Sequence, residues 1–405
     1  MTSGLEGIKI VEIAQHLAAP AASGILADFG AQVIHVEHPV HGDGNRGYFA
    51  MNKGRSPVGP FNYVWEMINR NKRGMAVDIR SEDGQEIIRR LVAQSDVFLS
   101  NLRPYELEKY HFTYACLSQL NPRLVCANLN GLGQRGPERD APGYDGPSYW
   151  ARAGAPAMMS QSVREPPASP PGFGDNAVAQ CFAGAIALAL LVRERTGIGQ
   201  EVDVSLFNSG IYAQAMDTQA ALTTGRNPTE SRRTERTNPL GNYYRTRDDR
   251  WILIGIPQAV RYWPTFCRAI EREDLEHDPR FDSMETRAAH CAALIAILDD
   301  VFAAKTLDEW TQRLRPFDLA AWAPVQTPLE VTQDAQAIAN EYFADFDHPT
   351  HGKIKLVASP IKLRKTPATI RTPAPEFGQH TEEILLEAGY NWEDIVALKD
   401  AQVIA

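Results

Sequence analysis

The chain has 405 residues, of which 41 are Lys or Arg and 50 are Asp or Glu, so its formal net charge is −9. Apolar residues make up 44% and charged residues 22%, which excludes a disordered chain. Because nucleic-acid surfaces need clustered Lys and Arg, this negative balance also argues against nucleic acid as a partner.

Short apolar runs alternate with helical patterns over the first 130 residues. Two helices are predicted there, Ala21–Phe29 and the segment after Ser81, whose hydroxyl can cap it. Because segments of helix length connect the strands, we expect a mostly parallel sheet covered by helices, which is an α/β fold. The runs that predict strands are Ile8–Ile13, Val33–Val36, Met75–Ile79, Asp96–Ser100 and Leu124–Asn128.

The middle of the chain is rich in glycine and proline from residue 131 to residue 175, which predicts a long loop region. A helix is predicted over Asn176–Arg193, then a strand at Glu201–Ser205 and a helix from Leu206. The longest apolar run, Cys181–Val192, is too short to span a bilayer, so we expect no membrane partner.

The segment 224–240 is polar and irregular, which is typical of a linker between domains. Beyond it, a strand at Trp251–Gly255 and helices at Tyr262–Ile270 and Arg287–Phe302 indicate a smaller α+β unit. The chain is predicted to end in two short helices around Gly389, the second capped by Asn391.

Five cysteines at positions 116, 126, 181, 267 and 291 are widely spaced and form no C-x-x-C pair. An odd number of dispersed cysteines favours reduced thiols, as in a cytoplasmic protein. Most lie in apolar contexts, where core packing is expected rather than nucleophilic chemistry.

Two segments imitate a dinucleotide-binding fingerprint. Gly131–Gly136 follows a predicted strand, but Pro137 and Pro142 prevent the helix that should come next. Gly172–Ala177 opens a helix, but the prolines before it exclude a preceding strand. Neither segment has the full context, so a nicotinamide or flavin nucleotide is not expected.

The histidines at positions 35, 38 and 41 recur every third residue, with Asp43 nearby. Metal binding needs several such ligands to converge on one point, and no helical metal motif accompanies them. We therefore expect ordinary surface histidines here and no metal site.

Asp175 is the carboxylate whose surroundings suggest chemistry most strongly. It lies in Gly-Phe-Gly-Asp, where the proline-rich loop becomes an apolar helix. One interpretation is a plain helix N-cap. The other is a catalytic carboxylate that helix N–H groups keep ionised and that flanking glycines leave open to a bulky substrate. Asp145, in Pro-Gly-Tyr-Asp-Gly-Pro, is a second loop carboxylate and by itself predicts only a turn.

Taken together, an ordered series of segments resembles the family III CoA-transferases, which include formyl-CoA transferase, carnitine CoA-transferase and α-methylacyl-CoA racemase. Each segment is weak evidence alone, whereas the set in this order is specific. The matching segments are Leu5–Glu12, Asn71–Ile79, Asp96–Pro104, Asn121–Val125, Pro142–Asp145, Gly174–Asp175, Arg195–Ser205 and Phe377–Glu383.

The resemblance implies a Rossmann-like large domain, a smaller α+β domain and two interlocked chains, as a homodimer or as a heterodimer with a paralogue. It divides the chain into a large domain over 1–223, the linker over 224–240, a small domain over 241–328 and a segment over 329–405 that returns to the large domain. The ligand would be CoA or acyl-CoA as a substrate, with no permanently bound cofactor. The family's catalytic aspartate falls on Asp175.

The resemblance also implies contacts with CoA or with the acyl group. Leu17 replaces a glutamine of formyl-CoA transferase, so we do not expect the oxalate and formate pair as substrates. Aromatic residues at 149, 150, 243 and 244 fit either an aromatic acyl pocket or core packing. The residues that carry the implied contacts are His38, Asn71, Lys72, Arg73, Asn101, Leu102, Arg103, Tyr144 and Asp145.

Two alternatives to CoA transfer can be compared on the sequence. The racemase branch of the family places acid/base residues where this chain has Tyr144 and Ile256, so transfer is favoured over racemisation. A non-catalytic subunit paired with an active paralogue is the other alternative, and the presence of Asp175 argues against it. The expected reaction therefore moves CoA from a donor such as succinyl-CoA to a carboxylic acid.

Overall fold

The structure is a computed structural model that describes residues 3–47, 61–159, 166–228, 233–236 and 238–405. Parts of the predicted loop and linker, residues 160–165, 229–232 and 237, lie outside the described residues. The chain divides into two compact units. The first comprises Met1–Ala157, Pro167–Arg226 and Ala339–Ala405, and the second comprises Met158–Pro166 and Asn227–Ile338.

A six-stranded parallel sheet forms the centre of the first unit. Its strand order is β3-β2-β1-β4-β5-β6, which is the order of doubly wound nucleotide-binding sheets. The predicted α/β class with a parallel sheet is therefore confirmed. The strands are β1 (Lys9–Ile13), β2 (Gln32–Glu37), β3 (Lys72–Ala76), β4 (Val97–Ser100), β5 (Val125–Asn130) and β6 (Gln200–Ser205).

Helices of the first unit cover both faces of this sheet, with a separate apolar core on each face. A π-helix at Asp145–Arg152 lies in the segment where the sequence predicted only loop. The α-helices before residue 225 are α1 (Ala18–Asp28), α2 (Tyr63–Asn69), α3 (Glu82–Ala93), α4 (Pro104–Lys109), α5 (Tyr114–Leu120), α6 (Ala155–Met159), α7 (Phe173–Thr196), α8 (Leu206–Ala213) and α9 (Ala215–Thr224).

Helix α3 illustrates how local sequence positions an element. The Ser81 hydroxyl accepts a hydrogen bond from the Gly84 N–H at 3.0 Å, as a helix N-cap does. Two acidic residues in the first turn complement the positive end of the helix dipole. The apolar stripe of this helix is buried against the sheet: Ile87, Ile88, Leu91 and Val92.

Strand β3 begins at Lys72, three residues before the predicted start. The apolar pattern did not include this part of the strand because it contains a buried charged residue. Lys72 is fully buried, and its Nζ donates to Glu12 Oε2 at 2.9 Å and to two further oxygens at 2.8 Å. His35 lies on the other side of the same carboxylate, with Nδ1 3.2 Å from Glu12 Oε1. The prediction that His35 is a surface residue is wrong, since its side chain is fully buried in this ionic cluster.

Helix α7 is long and apolar enough, by length and composition, to cross a membrane. A helix in the core of a protein meets the same criterion. Along one face its residues are buried in the core against α1. The helix predicted over Asn176–Arg193 is confirmed, and it is three residues longer at each end.

The second unit contains a three-stranded antiparallel sheet in the order β7-β8-β9 and its own apolar core. The helix predicted over Arg287–Phe302 is two helices that meet at His290. Its strands are β7 (Gly241–Arg245), β8 (Trp251–Gly255) and β9 (Trp322–Pro324). Its helices are α10 (Ala259–Ala269), α11 (Met284–Ala289), α12 (Cys291–Ala303), α13 (Leu307–Leu314), α14 (Pro328–Val331) and α15 (Ala335–Ala339), of which the last extends one residue beyond the unit.

The C-terminal segment belongs to the first unit. It contains an antiparallel hairpin, β10 (Phe343–His348) and β11 (Gly352–Val357), which the sequence did not predict. It ends in helices α16 (Thr381–Glu387) and α17 (Trp392–Asp400). Asn391 caps α17 as predicted, since its side chain accepts a hydrogen bond from the Asp394 N–H at 3.0 Å.

Candidate active site

A cavity of about 450 Å³ opens at the carboxyl ends of the strands in the first unit. Its centre lies at β1 and β4, where the strand order reverses and where doubly wound sheets bind ligands. The loops after these strands are joined there by two hydrogen bonds, from the Gln15 N–H to Asn101 Oδ1 at 3.1 Å and from Asn101 Nδ2 to the Gln15 carbonyl at 2.7 Å.

Asp175 lines this cavity from the first turn of α7. The helix begins at Phe173, three residues before the predicted start, because Gly172 at the N-cap position adopts a left-handed conformation with φ 67°. The plain N-cap interpretation is therefore wrong, since Asp175 is the third residue of the helix. The residue is half-buried.

Asp145 lies behind Asp175 and does not line the cavity. It is the first residue of the π-helix, and its Oδ2 accepts a hydrogen bond from the Gly174 N–H at 3.0 Å. A Cβ atom at Gly174 would lie 2.3 Å from Asp145 Oδ1 and 2.5 Å from the Tyr149 ring. Asp145 is therefore more than a turn residue, because it fixes the π-helix against the start of α7.

This close approach predicts the effect of adding one methyl group. Gly174→Ala should lower the free energy of unfolding by about 2 to 3 kcal/mol, because neither neighbour can move without disturbing its own packing. Gly184→Ala is the matched control in the same helix, since a Cβ there meets nothing within 4 Å. It should be neutral or stabilising by up to about 1 kcal/mol. Urea unfolding measures both, and equal stability of the two variants would contradict the packing argument.

Burial and, as the smaller cause, the negative charge of Asp145 together raise the pKa of Asp175 to about 7. Burial also raises the pKa of Asp145, against the lowering effect of the Asp175 and Gly174 N–H groups. The expectation that helix N–H groups keep Asp175 ionised is wrong, because these groups serve Asp145 instead. Near neutral pH, Asp175 is thus present both as the acid and as a poorly solvated carboxylate.

The start of α7 offers little for stabilising an oxyanion. The Phe173 N–H donates to the Pro170 carbonyl at 3.3 Å, and the Asn176 N–H donates to the Gly172 carbonyl at 2.9 Å. The N–H groups of Gly174 and Asp175, which lie between these two residues, interact with Asp145. Gly131 and Gly143, in neighbouring glycine turns, also line the cavity.

Basic side chains line another part of the same cavity. Arg80 pairs with Asp78 at 2.8 Å, Arg103 pairs with Glu106 at 3.2 Å, and Arg139 pairs with Asp140 at 3.2 Å. His38 lies near Arg80, and burial and this positive charge both lower its pKa. Its Nδ1 accepts the Val40 N–H at 3.1 Å, which leaves the buried Nε2 without a hydrogen-bond partner in the described chain.

Comparison with known proteins identifies the family. The model of CoA-transferase family III matches residues 5–381. The chain is 34% identical to an (R)-2-hydroxy-4-methylpentanoate CoA-transferase of Clostridioides difficile, over 99% of each chain. It is 32% identical to a cinnamoyl-CoA:phenyllactate CoA-transferase of Clostridium sporogenes, over 100% of this chain and 98% of the relative. A crystal structure of a CAIB/BAIF family protein from Brucella suis superimposes with a TM-score of 0.82 at 27% identity, over 96% of this chain and all of that one.

The chain belongs to the family III CoA-transferases. It is therefore an enzyme that uses CoA thioesters as substrates.

The structure brings most of the site residues predicted for this family III CoA-transferase to one cavity. Asp175 lies on the wall together with other predicted residues from the loops after β2, β4 and β5. Sequence reasoning missed Arg80 and Arg139, although a cation just after the end of a parallel strand is a signal that could have identified Arg80. The predicted residues that line the cavity with Asp175 are His38, Asn101, Leu102, Arg103 and Tyr144.

The structure places the other predicted contacts elsewhere. Asn71 binds Asp28 Oδ1 and the Thr369 carbonyl through its side-chain amide, each at 2.8 Å. Lys72 has no exposed surface, and its ammonium group is used by the buried cluster with Glu12. The structure does not bring Asn71, Lys72 or Arg73 to the cavity, because their side chains stabilise the fold.

Arg73 connects β3 to the C-terminal segment. Its guanidinium group pairs with Glu383 at 2.9 Å and with Glu387 at 2.8 Å, both on α16. The side-chain hydrogen bond to Glu387 raises the pKa of Arg73. This cation therefore holds α16 against the sheet.

The aromatic residues considered for an acyl pocket are mostly core residues. Tyr149 and Trp150 are buried on the π-helix, and Tyr244 is buried in the second unit, where it stacks on Phe302 at 4.8 Å. Tyr243, which directly precedes Tyr244 in β7, is half exposed. Within the described residues, no group of three or more His, Cys, Asp or Glu side chains could hold a metal ion.

Proposed function

We propose that this enzyme transfers CoA from a donor acyl-CoA, such as succinyl-CoA, to a 2-hydroxy carboxylic acid, with Asp175 as the nucleophile. The observation that carries the proposal is a desolvated carboxylate in a cavity whose wall also presents arginine side chains. The acceptor class is supported by two relatives whose names contain a 2-hydroxy acid, since phenyllactate is one and 2-hydroxy-4-methylpentanoate is the other.

The orientation of the thioester follows from the distribution of charge. The phosphates of CoA are anions and suit the wall with Arg80, Arg103 and Arg139, where guanidinium groups can donate paired hydrogen bonds. The thioester is the uncharged end of the molecule and suits the wall with Asp175. In this orientation the phosphates stay away from Asp175 and Asp145, whose negative charge would repel them.

The proposed reaction begins when an oxygen of Asp175 attacks the thioester carbonyl of the donor. The C–S bond breaks, and the products are a mixed anhydride on Asp175 and CoA thiolate. The thiolate then attacks the aspartyl carbonyl of the anhydride, which forms an aspartyl-CoA thioester and releases the donor acid as its carboxylate. In a shorter route the CoA thiolate stays bound while the acceptor carboxylate attacks the aspartyl carbonyl of the anhydride. The donor acid then leaves as its carboxylate, and a second anhydride is formed directly. The net reaction exchanges one thioester for another and is nearly balanced in free energy, and the covalent intermediates divide it into easier steps.

The second half of the reaction reverses these steps with a new acid. The acceptor carboxylate attacks the aspartyl thioester, which releases thiolate and forms a second anhydride. Thiolate attacks the acceptor carbonyl, which yields the new acyl-CoA and regenerates the Asp175 carboxylate, with no net gain or loss of protons. Water would hydrolyse the anhydrides, so the burial around Asp175 supports this chemistry.

A panel of acids tests the proposal. Purified enzyme is mixed with succinyl-CoA or acetyl-CoA and with 2-hydroxy, straight-chain and aromatic carboxylic acids, and mass spectrometry follows the new CoA thioesters. We expect new thioesters of 2-hydroxy acids. A racemase would instead place solvent deuterium at the α-carbon of an acyl-CoA without any second acid, and that result would overturn the proposal. Ile256, at one racemase position, is a buried hydrocarbon side chain in the second unit.

The pH dependence of transfer tests the state of Asp175. Because the nucleophile must be ionised, kcat/KM for the donor should rise with pH through about 7. Asp145→Asn removes the nearby negative charge while its amide oxygen can still accept the Gly174 N–H. The midpoint of the rise should then move to lower pH, by up to about one pH unit, since burial remains. A pH–rate profile of both proteins measures this, and a midpoint that moves upward or stays fixed would contradict it.

We also propose that the enzyme is a cytoplasmic homodimer. Helices α7, α8 and α9 carry large apolar side chains that are exposed in the single chain, and such surfaces are typical of subunit interfaces. Sedimentation equilibrium should give twice the mass of the chain, whereas a monomer that transfers CoA only after a paralogue is added would indicate a heterodimer. The exposed side chains are Leu188, Leu191, Val192, Tyr212, Met216 and Leu222.

A further inference from the structure

Two polar side chains in the cavity wall have no hydrogen-bond partner among the described residues. They are the imidazole of His16, in the loop after β1, and the hydroxyl of Tyr144, in the loop before the π-helix. The two rings meet edge to face, with centroids 5.6 Å apart and an interplanar angle of 72°. Both side chains are exposed, so both have polar groups available to a ligand.

The backbone of His16 is held in an unusual conformation. Its φ of 65° lies in the left-handed region, which costs a histidine about 1 kcal/mol or more relative to glycine. The conformation is held from both sides, since the His16 N–H donates to Asp43 Oδ1 at 3.2 Å and the Asn45 amide donates to the His16 carbonyl. These two hydrogen bonds fix the backbone that carries the imidazole in the cavity wall.

Tyr144 is connected to the nucleophile through the chain. It directly precedes Asp145, whose carboxylate accepts the Gly174 N–H, and Gly174 directly precedes Asp175. The pair formed by Tyr144 and His16 lines the same cavity as Asp175. Neither group is anionic, so neither would repel a carboxylate that approaches Asp175.

We propose that His16, together with the Tyr144 hydroxyl, binds the 2-hydroxyl group of the acceptor acid and so determines specificity. The inference rests on the function proposed above. A neutral imidazole has one donor and one acceptor nitrogen, and a phenol can also donate or accept, which matches a hydroxyl group that does both. An acid without that hydroxyl would displace water from the His16 imidazole and the Tyr144 hydroxyl without replacing its hydrogen bonds. The enzyme should therefore prefer a 2-hydroxy acid to its deoxy analogue.

The test compares an acceptor with its deoxy analogue. The acids are 2-hydroxy-4-methylpentanoate and 4-methylpentanoate, with succinyl-CoA as donor, and the readout is the ratio of their kcat/KM values. His16→Gly removes the imidazole and keeps a residue that tolerates φ 65°. We expect the ratio to fall by about tenfold or more, while kcat/KM for 4-methylpentanoate changes less than about threefold. Tyr144→Phe removes only the hydroxyl and should change the ratio in the same direction.

A matched control separates this role from a structural one. His111 is also a histidine with a left-handed backbone, at φ 59°, and it does not line the cavity. His111→Gly should leave the ratio unchanged. If the wild-type enzyme transfers CoA to no 2-hydroxy acid of the panel, the proposed function fails and this inference fails with it. If the wild type uses both acids and His16→Gly lowers both rates equally or leaves the ratio unchanged, the role of His16 alone is overturned.

Discussion

Replacement of Asp175 with alanine should abolish CoA transfer, with kcat lowered by about 10⁴-fold or more. The variant lacks the oxygen that would accept the acyl group, and the neighbouring Asp145 cannot substitute for it, because its carboxylate lies behind the wall and holds the Gly174 N–H at 3.0 Å. Transfer between succinyl-CoA and an acceptor is measured by mass spectrometry of the thioesters. Intact-protein mass spectrometry of the wild type should in addition detect CoA bound covalently, and this adduct should be missing from Asp175→Ala.

Loss of folding is not expected to explain the loss of activity. Burial raises the pKa of Asp175 from 3.8 to about 7, so ionisation of this group costs stability progressively as pH rises through that interval. At pH 8 the alanine variant should therefore melt at the same temperature as the wild type or higher. Asp308→Asn is a control for charge, since Asp308 is an exposed carboxylate in the first turn of α13. Transfer by Asp175→Ala at a tenth of the wild-type rate or more would contradict the assignment.

The parallel sheet could be predicted from the sequence because its strands carry a local signal. Buried strands such as β1 and β5 are nearly continuous apolar runs, and the structure differs from their predicted bounds by one or two residues. The hairpin of β10 and β11 was missed because its residues are mostly exposed or only partly buried and include charged side chains, so they form no continuous apolar run. The apolar pattern does not determine the strand order, since that order depends on crossovers between distant segments.

The candidate site could be predicted only in part, for two physical reasons. Asp175 was found because glycines and a helix start surround it, yet its place in the helix depended on the left-handed Gly172, which leaves no separate mark in the sequence. The basic residues of Asn71–Arg73 were misplaced because a strand alternates its side chains between two faces. Lys72 therefore points into the protein and Arg73 toward α16, and the sequence does not reveal which acidic partner each one meets.

Lys72 gives the second large effect, which is on stability rather than on CoA binding. Its Nζ is fully buried between Glu12, the Pro20 carbonyl and Asn69, at distances of 2.8 to 2.9 Å. Burial alone would raise the pKa of Glu12, but the Lys72 charge, together with the interactions of this carboxylate with His35 and the Ser23 hydroxyl, overcomes this and lowers the pKa to about 2. Lys72→Met leaves the Glu12 carboxylate without its main counter-charge, and the free energy of unfolding should fall by about 3 to 5 kcal/mol.

A neighbouring residue provides the matched control. Arg73→Met removes a cation from the next position of the same strand, where the partners on α16 are more than half exposed, so the loss should be about 1 kcal/mol or less. Urea unfolding of both variants measures the difference. Lys72→Met combined with Glu12→Gln should recover part of the loss, because no unpaired charge then remains in the core. If Lys72 instead contacted CoA, Lys72→Met would weaken CoA binding and leave stability unchanged, and the buried ion pair would not be its role.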